Sequence, residues 1–171
     1  QTEEQYQLEN TESIRQQKQT LLVVDDDTEV AHYLKALLSP VYNVVCRFDA
    51  DSAFKAMSEE APDLVLSDVV MPGRNGYDLC RQIKEDLQLC HIPVILVTAK
   101  ATVENQVEGL NTGADAYVTK PFEPNYLLAL IKSQLKNREK VRSLLSRSTQ
   151  TDEIEENVLS PQDNTFMTEL Y

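Results

Sequence analysis

The chain has no tryptophan, four glycines and three cysteines among its 171 residues. Each scarcity narrows what it can be. Cys46, Cys80 and Cys90 are odd in number and show no CxxC spacing, so neither a disulfide scaffold nor a structural zinc site is indicated. A reduced, cytosolic chain is the expectation. No GxGxxG or phosphate-loop pattern occurs, which removes the usual support for nucleotide binding. No apolar run reaches the roughly 18 residues of a membrane span. No secretory leader pattern opens the chain, which starts QTEEQYQLEN. A basic segment is missing too. The net charge is −12, and acids exceed bases at both ends and in the middle. Contacts to nucleic-acid phosphates need clustered Lys and Arg, so direct nucleic-acid binding and membrane contact by this piece are not expected.

What is present is an alternation. A chain of this size buries roughly 70% of its unfolded surface, enough for one real core. Short apolar runs lie at 21–24 (LLVV), 42–47 (YNVVCR), 63–67 (DLVLS), 93–97 (PVILV) and 115–118 (DAYV). They are too short for helices and several are rich in valine, so they read as strands. Helical patterns separate them. The first carries Val30, Leu34, Leu37 and Leu38, with Thr28 as N-cap and Pro40 as a stop. The second runs from Asp51 with Ala53, Ala56 and Met57 inward. The third carries Leu79, Ile83 and Leu87. The fourth starts near Thr102, buries Val103, Val107 and Leu110, and ends near Gly113. The fifth has Pro124 in its first turn, then Leu127, Ile131 and Leu135. Five strands alternating with five helices predict an α/β fold, a doubly wound parallel sheet covered on both faces.

In such sheets ligands sit beyond the carboxyl ends of the strands. Those ends carry chemistry. Asp25, Asp26 and Asp27 follow the first run, Asp68 the third, Thr98 the fourth and Lys120 the fifth. Like charges about 4 Å apart repel by about 4 kcal/mol near a protein surface. Such a cluster suits a hard cation, Mg²⁺, beside a reactive carboxylate. Asp68 is central and can act as a nucleophile. Thr98 can donate to a phosphoryl oxygen, and Lys120 balances the remaining anion. Asp27 reads instead as a turn or capping acid at the start of the first helix. The sequence around His32 and His91 does not suggest phosphohistidine chemistry.

The motifs LLVVDDD, LVLSDVVMPGRNGYDL, IPVILVTA and GADAYVTKPF, in this order, resemble the response-regulator receiver domains of two-component signalling. They span about residues 20–137. The resemblance implies the flavodoxin-like fold with strand order 2-1-3-4-5, an arrangement for which a receiver protein is itself a standard illustration. It implies Asp68 as phosphoacceptor, and a Mg²⁺ site from Asp26 directly, Asp25 mainly through water, Asp68 and the backbone carbonyl of Val70. It also implies a switch made of Thr98 and Tyr117, a Lys120 that pairs with Asp68 or its phosphate, and a cis Lys120–Pro121 peptide. Val70 and Lys100 fall where dephosphorylation is tuned. An apolar Val70 cannot orient a water, so a phospho-form lasting minutes or longer is expected. The implied phosphodonor is a histidine kinase or phosphotransfer domain, in the same chain or another. The implied output is a repacked face of the fourth helix, fifth strand and fifth helix, able to support a homodimer and control transcription.

The flanks suggest a longer protein. Residues 1–19 read as a helical or frayed linker. Residues 138–171 read as a continuation of the fifth helix through Val141, Leu144 and Leu145. An acidic, loop-like tail then follows, with a new helix beginning at Phe166, leading toward an output domain. LSPQDNTFMTEL resembles the linker of hybrid two-component sensors of Bacteroidetes, in which a kinase precedes the receiver and an arabinose-regulator-type DNA-binding domain follows. The parent would then be a hybrid histidine kinase, with this piece on the cytoplasmic side of a membrane-anchored sensor. Two alternatives stand beside this reading. Asp25 and Asp27 give the DxD of haloacid-dehalogenase-type Mg²⁺ phosphohydrolases, but Glu29 replaces the expected Thr or Val and no cap insertion is present. A docking module that no longer takes phosphate is the other, and the intact acid set with Lys120 speaks against it.

Overall fold

The computed structural model describes residues 18–158. The expectations for residues 1–17, and for a helix beginning at Phe166, lie outside the described residues. Five strands form one all-parallel sheet: β1 (Thr20–Val24), β2 (Asn43–Arg47), β3 (Leu64–Ser67), β4 (Val94–Thr98) and β5 (Ala116–Thr119). Their order is β2-β1-β3-β4-β5. Between and after them run α1 (Thr28–Leu38), α2 (Ala50–Glu60), α3 (Gly76–Glu85), α4 (Val103–Asn111) and α5 (Pro124–Val158). This is the flavodoxin-like arrangement expected.

Helices cover both faces of the sheet, so β3 and β4 are buried along their whole length. Alternate side chains of one strand feed opposite faces. Leu22 and Val24 of β1 join Val65 and Leu96 beneath Ala53, Met57, Leu79 and Ile83 of α2 and α3. Leu21 and Val23 join Leu66 and Ile95 beneath Leu34 and Leu38 of α1 and Leu127 and Ile131 of α5. Each such leucine or isoleucine contributes about 1.5–3 kcal/mol on burial. The described residues divide into two compact units, one up to Leu135 and one from Lys136 onward. No helix among the described residues is long and apolar enough to cross a membrane.

Several local expectations need correction. Asp27, not Thr28, caps α1: its side chain accepts from the Glu29 N–H at 3.0 Å and the Val30 N–H at 3.4 Å. A carboxylate one residue earlier satisfies two otherwise unpaired donors and complements the helix dipole. Asp49 caps α2 in the same way, so that helix starts at Ala50 rather than Asp51. Leu87 is exposed, because α3 ends at Glu85. Val103, Val107 and Leu110 are 72%, 51% and 51% exposed rather than buried. Helical periodicity marks an apolar stripe but does not say that this chain covers it. The tail after Leu145 is helical to Val158 rather than loop-like. No Gly or Pro interrupts it, and acidic side chains alone do not stop a helix.

Candidate functional site

The pairing of β1 with β3 sets Val24 opposite Ser67. The next residues, Asp25 and Asp68, therefore leave adjacent strands side by side. The ladder extends into them: the Asp68 N–H donates to the Val24 carbonyl at 2.8 Å and the Asp25 N–H to the Arg47 carbonyl at 3.2 Å. Asp25, Asp26 and Asp68 each present a carboxylate oxygen within 4.8 Å of the others. Asp25 is buried at 2% exposure, and Asp26 faces solvent.

Lys120 closes the cluster from the end of β5. Its Nζ donates to Asp25 Oδ2 at 2.8 Å and to Asp68 Oδ2 at 3.1 Å. The Lys120–Pro121 peptide is cis, as expected. Backbone donors hold the other carboxylate oxygens. Asp25 Oδ1 accepts from the Asp27 N–H at 2.9 Å. Asp68 Oδ1 accepts from Val69 at 2.6 Å and Val70 at 3.2 Å. Burial pushes the Asp25 carboxyl above its ordinary range, and the Lys120 hydrogen bond offsets this only in part. Burial alone would lower the Lys120 ammonium. The hydrogen bond to Asp25 and the charges of Asp68 and Asp25 outweigh burial and raise it. One ammonium thus pairs with two of three clustered carboxylates, all hard oxygen donors, and those two lie against the low-dielectric body. That donor set fits Mg²⁺, which takes one or two carboxylates and retains water.

Gly76, the first residue of α3, sets the back of the site. A Cβ at Gly76 would lie 2.0 Å from the Asp68 carbonyl oxygen, and the Gly76 N–H donates to the Val69 carbonyl at 2.9 Å. Only glycine allows this approach. Arg74 steadies the preceding loop, donating to Asp51 of α2 at 3.1 Å and to Gln82 of α3.

Thr98 ends β4 beside β3 and is fully buried. Its Oγ1 accepts from the Lys100 N–H at 3.4 Å. Tyr117 is half-buried, and its hydroxyl donates to the Lys100 carbonyl at 2.7 Å. Val70 is exposed at the rim. The structure therefore gathers Asp25, Asp26, Asp68 and Lys120 at one point, with Thr98 at the end of β4 and Tyr117 within β5 opposite Leu96. Sequence reasoning missed Tyr77 and Gly109, which both meet Tyr117. A glycine inside a helical pattern was the available signal for the second. His32 and His91 are exposed, away from this cluster.

Known proteins agree with the fold. The profile of the response regulator receiver domain matches residues 21–132. A histidine kinase of Formosa agariphila, "Histidine kinase P4", is 36% identical over 132 residues, covering 77% of this chain and 10% of the kinase. The chain thus spans about a tenth of that curated relative. A CheY-like receiver domain protein of Methanospirillum hungatei is 34% identical, covers 72% of this chain and 98% of its own, and superposes with a TM-score of 0.67. The receiver domain of a signal transduction histidine kinase from Syntrophus aciditrophicus is 35% identical, covers 70% and 91%, and superposes with a TM-score of 0.66. With motif order, strand order and these likenesses in agreement, the chain belongs to the response regulator receiver domain family.

Proposed function

We propose that this domain accepts a phosphoryl group on Asp68 and uses the added charge to switch a face of the molecule. The observation that carries the reading is the carboxylate of Asp68 between Asp25, Asp26 and the Lys120 ammonium. Asp26, Asp25 through water, Asp68 and the Val70 carbonyl would hold Mg²⁺. Bound there, the ion would neutralise phosphoryl oxygens and the acid cluster. The protein's own part is orientation. Two backbone N–H groups fix Asp68 Oδ1, and Oδ2 faces the ammonium. A carboxylate oxygen of Asp68 forms a bond to phosphorus as the phosphorus–nitrogen bond to the donor imidazole breaks. The imidazole leaves with the electron pair and takes a proton from water. Lys120 then pairs with the phosphoryl group, and Thr98 donates its hydroxyl to it. Tyr117 and the segment after β4 respond.

The phosphodonor is a histidine kinase or phosphotransfer domain. It would dock over the hollow next to Lys120, where Val30, Tyr33 and Phe122 are grouped and the Tyr33 and Phe122 rings lie 6.3 Å apart. The kinase relative supports a hybrid sensor as the parent protein, working on the cytoplasmic side and leading to transcriptional control. The face of α4, β5 and α5, with Val103, Val107 and Leu110 uncovered, is suited to a homodimer.

Acetyl phosphate with Mg²⁺ tests the assignment. The wild-type chain should take up one phosphoryl group and Asp68→Asn none; labelling that persists in Asp68→Asn would sink it. Because Val70 cannot orient an attacking water, the phospho-form should persist for minutes after the donor is removed, and decay within seconds would contradict that role. Tyr33→Ala should slow transfer from a protein donor while leaving labelling by acetyl phosphate unchanged.

A further inference from the structure

Tyr77 is the second residue of α3 and only 2% exposed. Its hydroxyl nevertheless reaches two groups outside its own helix. It lies 3.0 Å from the Asn105 carbonyl in α4 and 3.3 Å from the Tyr117 hydroxyl. Tyr117 spends its single proton on the Lys100 carbonyl at 2.7 Å. Any hydrogen bond across the tyrosine pair must therefore come from Tyr77, whose own single proton is shared between the Asn105 carbonyl and the Tyr117 oxygen. Burial first, then Tyr77, push the Tyr117 hydroxyl well above its ordinary pKa, which keeps it a donor. The Lys100 ammonium lies 5.9 Å from the centre of the Tyr77 ring, closing the pair from outside.

The Tyr117 ring needs room as well as partners. It lies over Gly109 of α4, where a Cβ would be 2.6 Å and 2.7 Å from two ring carbons. Gly109 has an ordinary helical backbone, so alanine there would suit the helix and collide chiefly with this ring position, the Leu96 methyl at 3.2 Å needing only a small shift. On the other side, Tyr77 follows Gly76, whose backbone touches the Asp68 carbonyl.

We propose that Tyr77 and Gly109 build the seat that holds Tyr117 inward, which makes Tyr77 a positioning residue of the switch. The chain of contacts runs from the Asp68 peptide through Gly76 and Tyr77 to Tyr117 and the segment after β4. This rests on Asp68 taking phosphate and on the inward Tyr117 belonging to the phosphorylated arrangement. The seat favours that arrangement before any phosphate arrives.

Beryllofluoride with saturating Mg²⁺, a stand-in for the phosphoryl group, provides the test, with thermal unfolding run beside it. Tyr77→Phe keeps the ring and removes the hydroxyl. It should weaken beryllofluoride binding about fivefold, the size of one net hydrogen bond. The loss should shrink once Tyr117→Phe has removed the partner. Equal losses in both backgrounds, or none, would overturn the seat. Gly109→Ala gives an independent arm. It should weaken binding in the wild-type background but not beside Tyr117→Ala, where no ring remains to collide. The same loss with and without the ring would also overturn the proposal. Wild-type protein that fails to bind beryllofluoride would overturn the phosphoacceptor reading and the seat with it. Wild-type binding with an unchanged Tyr77→Phe would overturn the seat alone.

Discussion

The two ends of the sheet are built from the same side-chain types and put them to opposite use. At the amino end, acids have backbone or lysine partners. Asp63 accepts from the Thr20 N–H at 2.8 Å. Asp115 accepts from the Val94 N–H at 2.8 Å and pairs with Lys84 at 2.8 Å. Lys84 also donates to the Ile92 and Cys90 carbonyls. At the carboxyl end, three acids cluster and one lysine pairs with two of them. The first arrangement fastens strands and helices together. The second leaves negative charge without enough positive charge, which costs stability and is what the proposed cation and phosphoryl group would require.

The largest effect that tests this contrast comes from Gly76→Ala. Its Cβ would drive into the Asp68 carbonyl, so a loss of about 3 kcal/mol or more is expected in denaturant unfolding, with labelling lost as well. A mild effect would mean that the loop behind Asp68 gives way. Next is Lys84→Met at the amino end. It strips Asp115 of its cationic partner, leaving only the Val94 N–H, and two carbonyls of the Lys84 donor, and should cost about 2 kcal/mol with acetyl phosphate labelling unchanged. Mg²⁺ at ten times its dissociation constant should add about 1.4 kcal/mol to wild type and to Lys84→Met. The gain should vanish in Asp26→Asn.

Asp25→Asn sharpens the contrast by sign. The folded protein raises the Asp25 carboxyl pKa. Its contribution is therefore favourable below the ordinary carboxylate range and is lost as pH rises through the raised value. In chelator at neutral pH, Asp25→Asn should unfold at a higher temperature than wild type, and the gap should close as pH falls through that value. Labelling with Mg²⁺ should drop. Lys120 is raised as well, so its contribution holds below the ordinary lysine value and is lost only in strong alkali. The smallest effect belongs to Asp27, which belongs to neither group. Asp27→Ala should cost about 1 kcal/mol as a lost cap and leave labelling in place. Such outcomes would separate three consecutive aspartates into two for the site and one for the helix.

The strands and the gathering of Asp25, Asp26, Asp68 and Lys120 were legible because parallel strands with helical crossovers leave few arrangements open, whereas the strand order came only with the family resemblance of the motifs. The stripe on α4 was legible as a stripe, but not as exposed. Periodicity fixes which residues share a face, whereas burial depends on what lies opposite. The end of α3 was overrun because Leu87 continues the spacing beyond Glu85. The seat around Tyr117 depends on a hydroxyl in α3 meeting another 40 residues later, a distance in space that no local pattern carries.

The register of β1 against β3 has a consequence for how this chain can change. Val24 faces Ser67, and the acids follow one residue later on each strand. Insertions in the connections at the amino edge can lengthen the molecule without touching that count. One residue added within either strand would turn the next carboxylate to the opposite face. The domain is thus free to acquire new attachments along one rim, while the other is held fixed by arithmetic along the backbone.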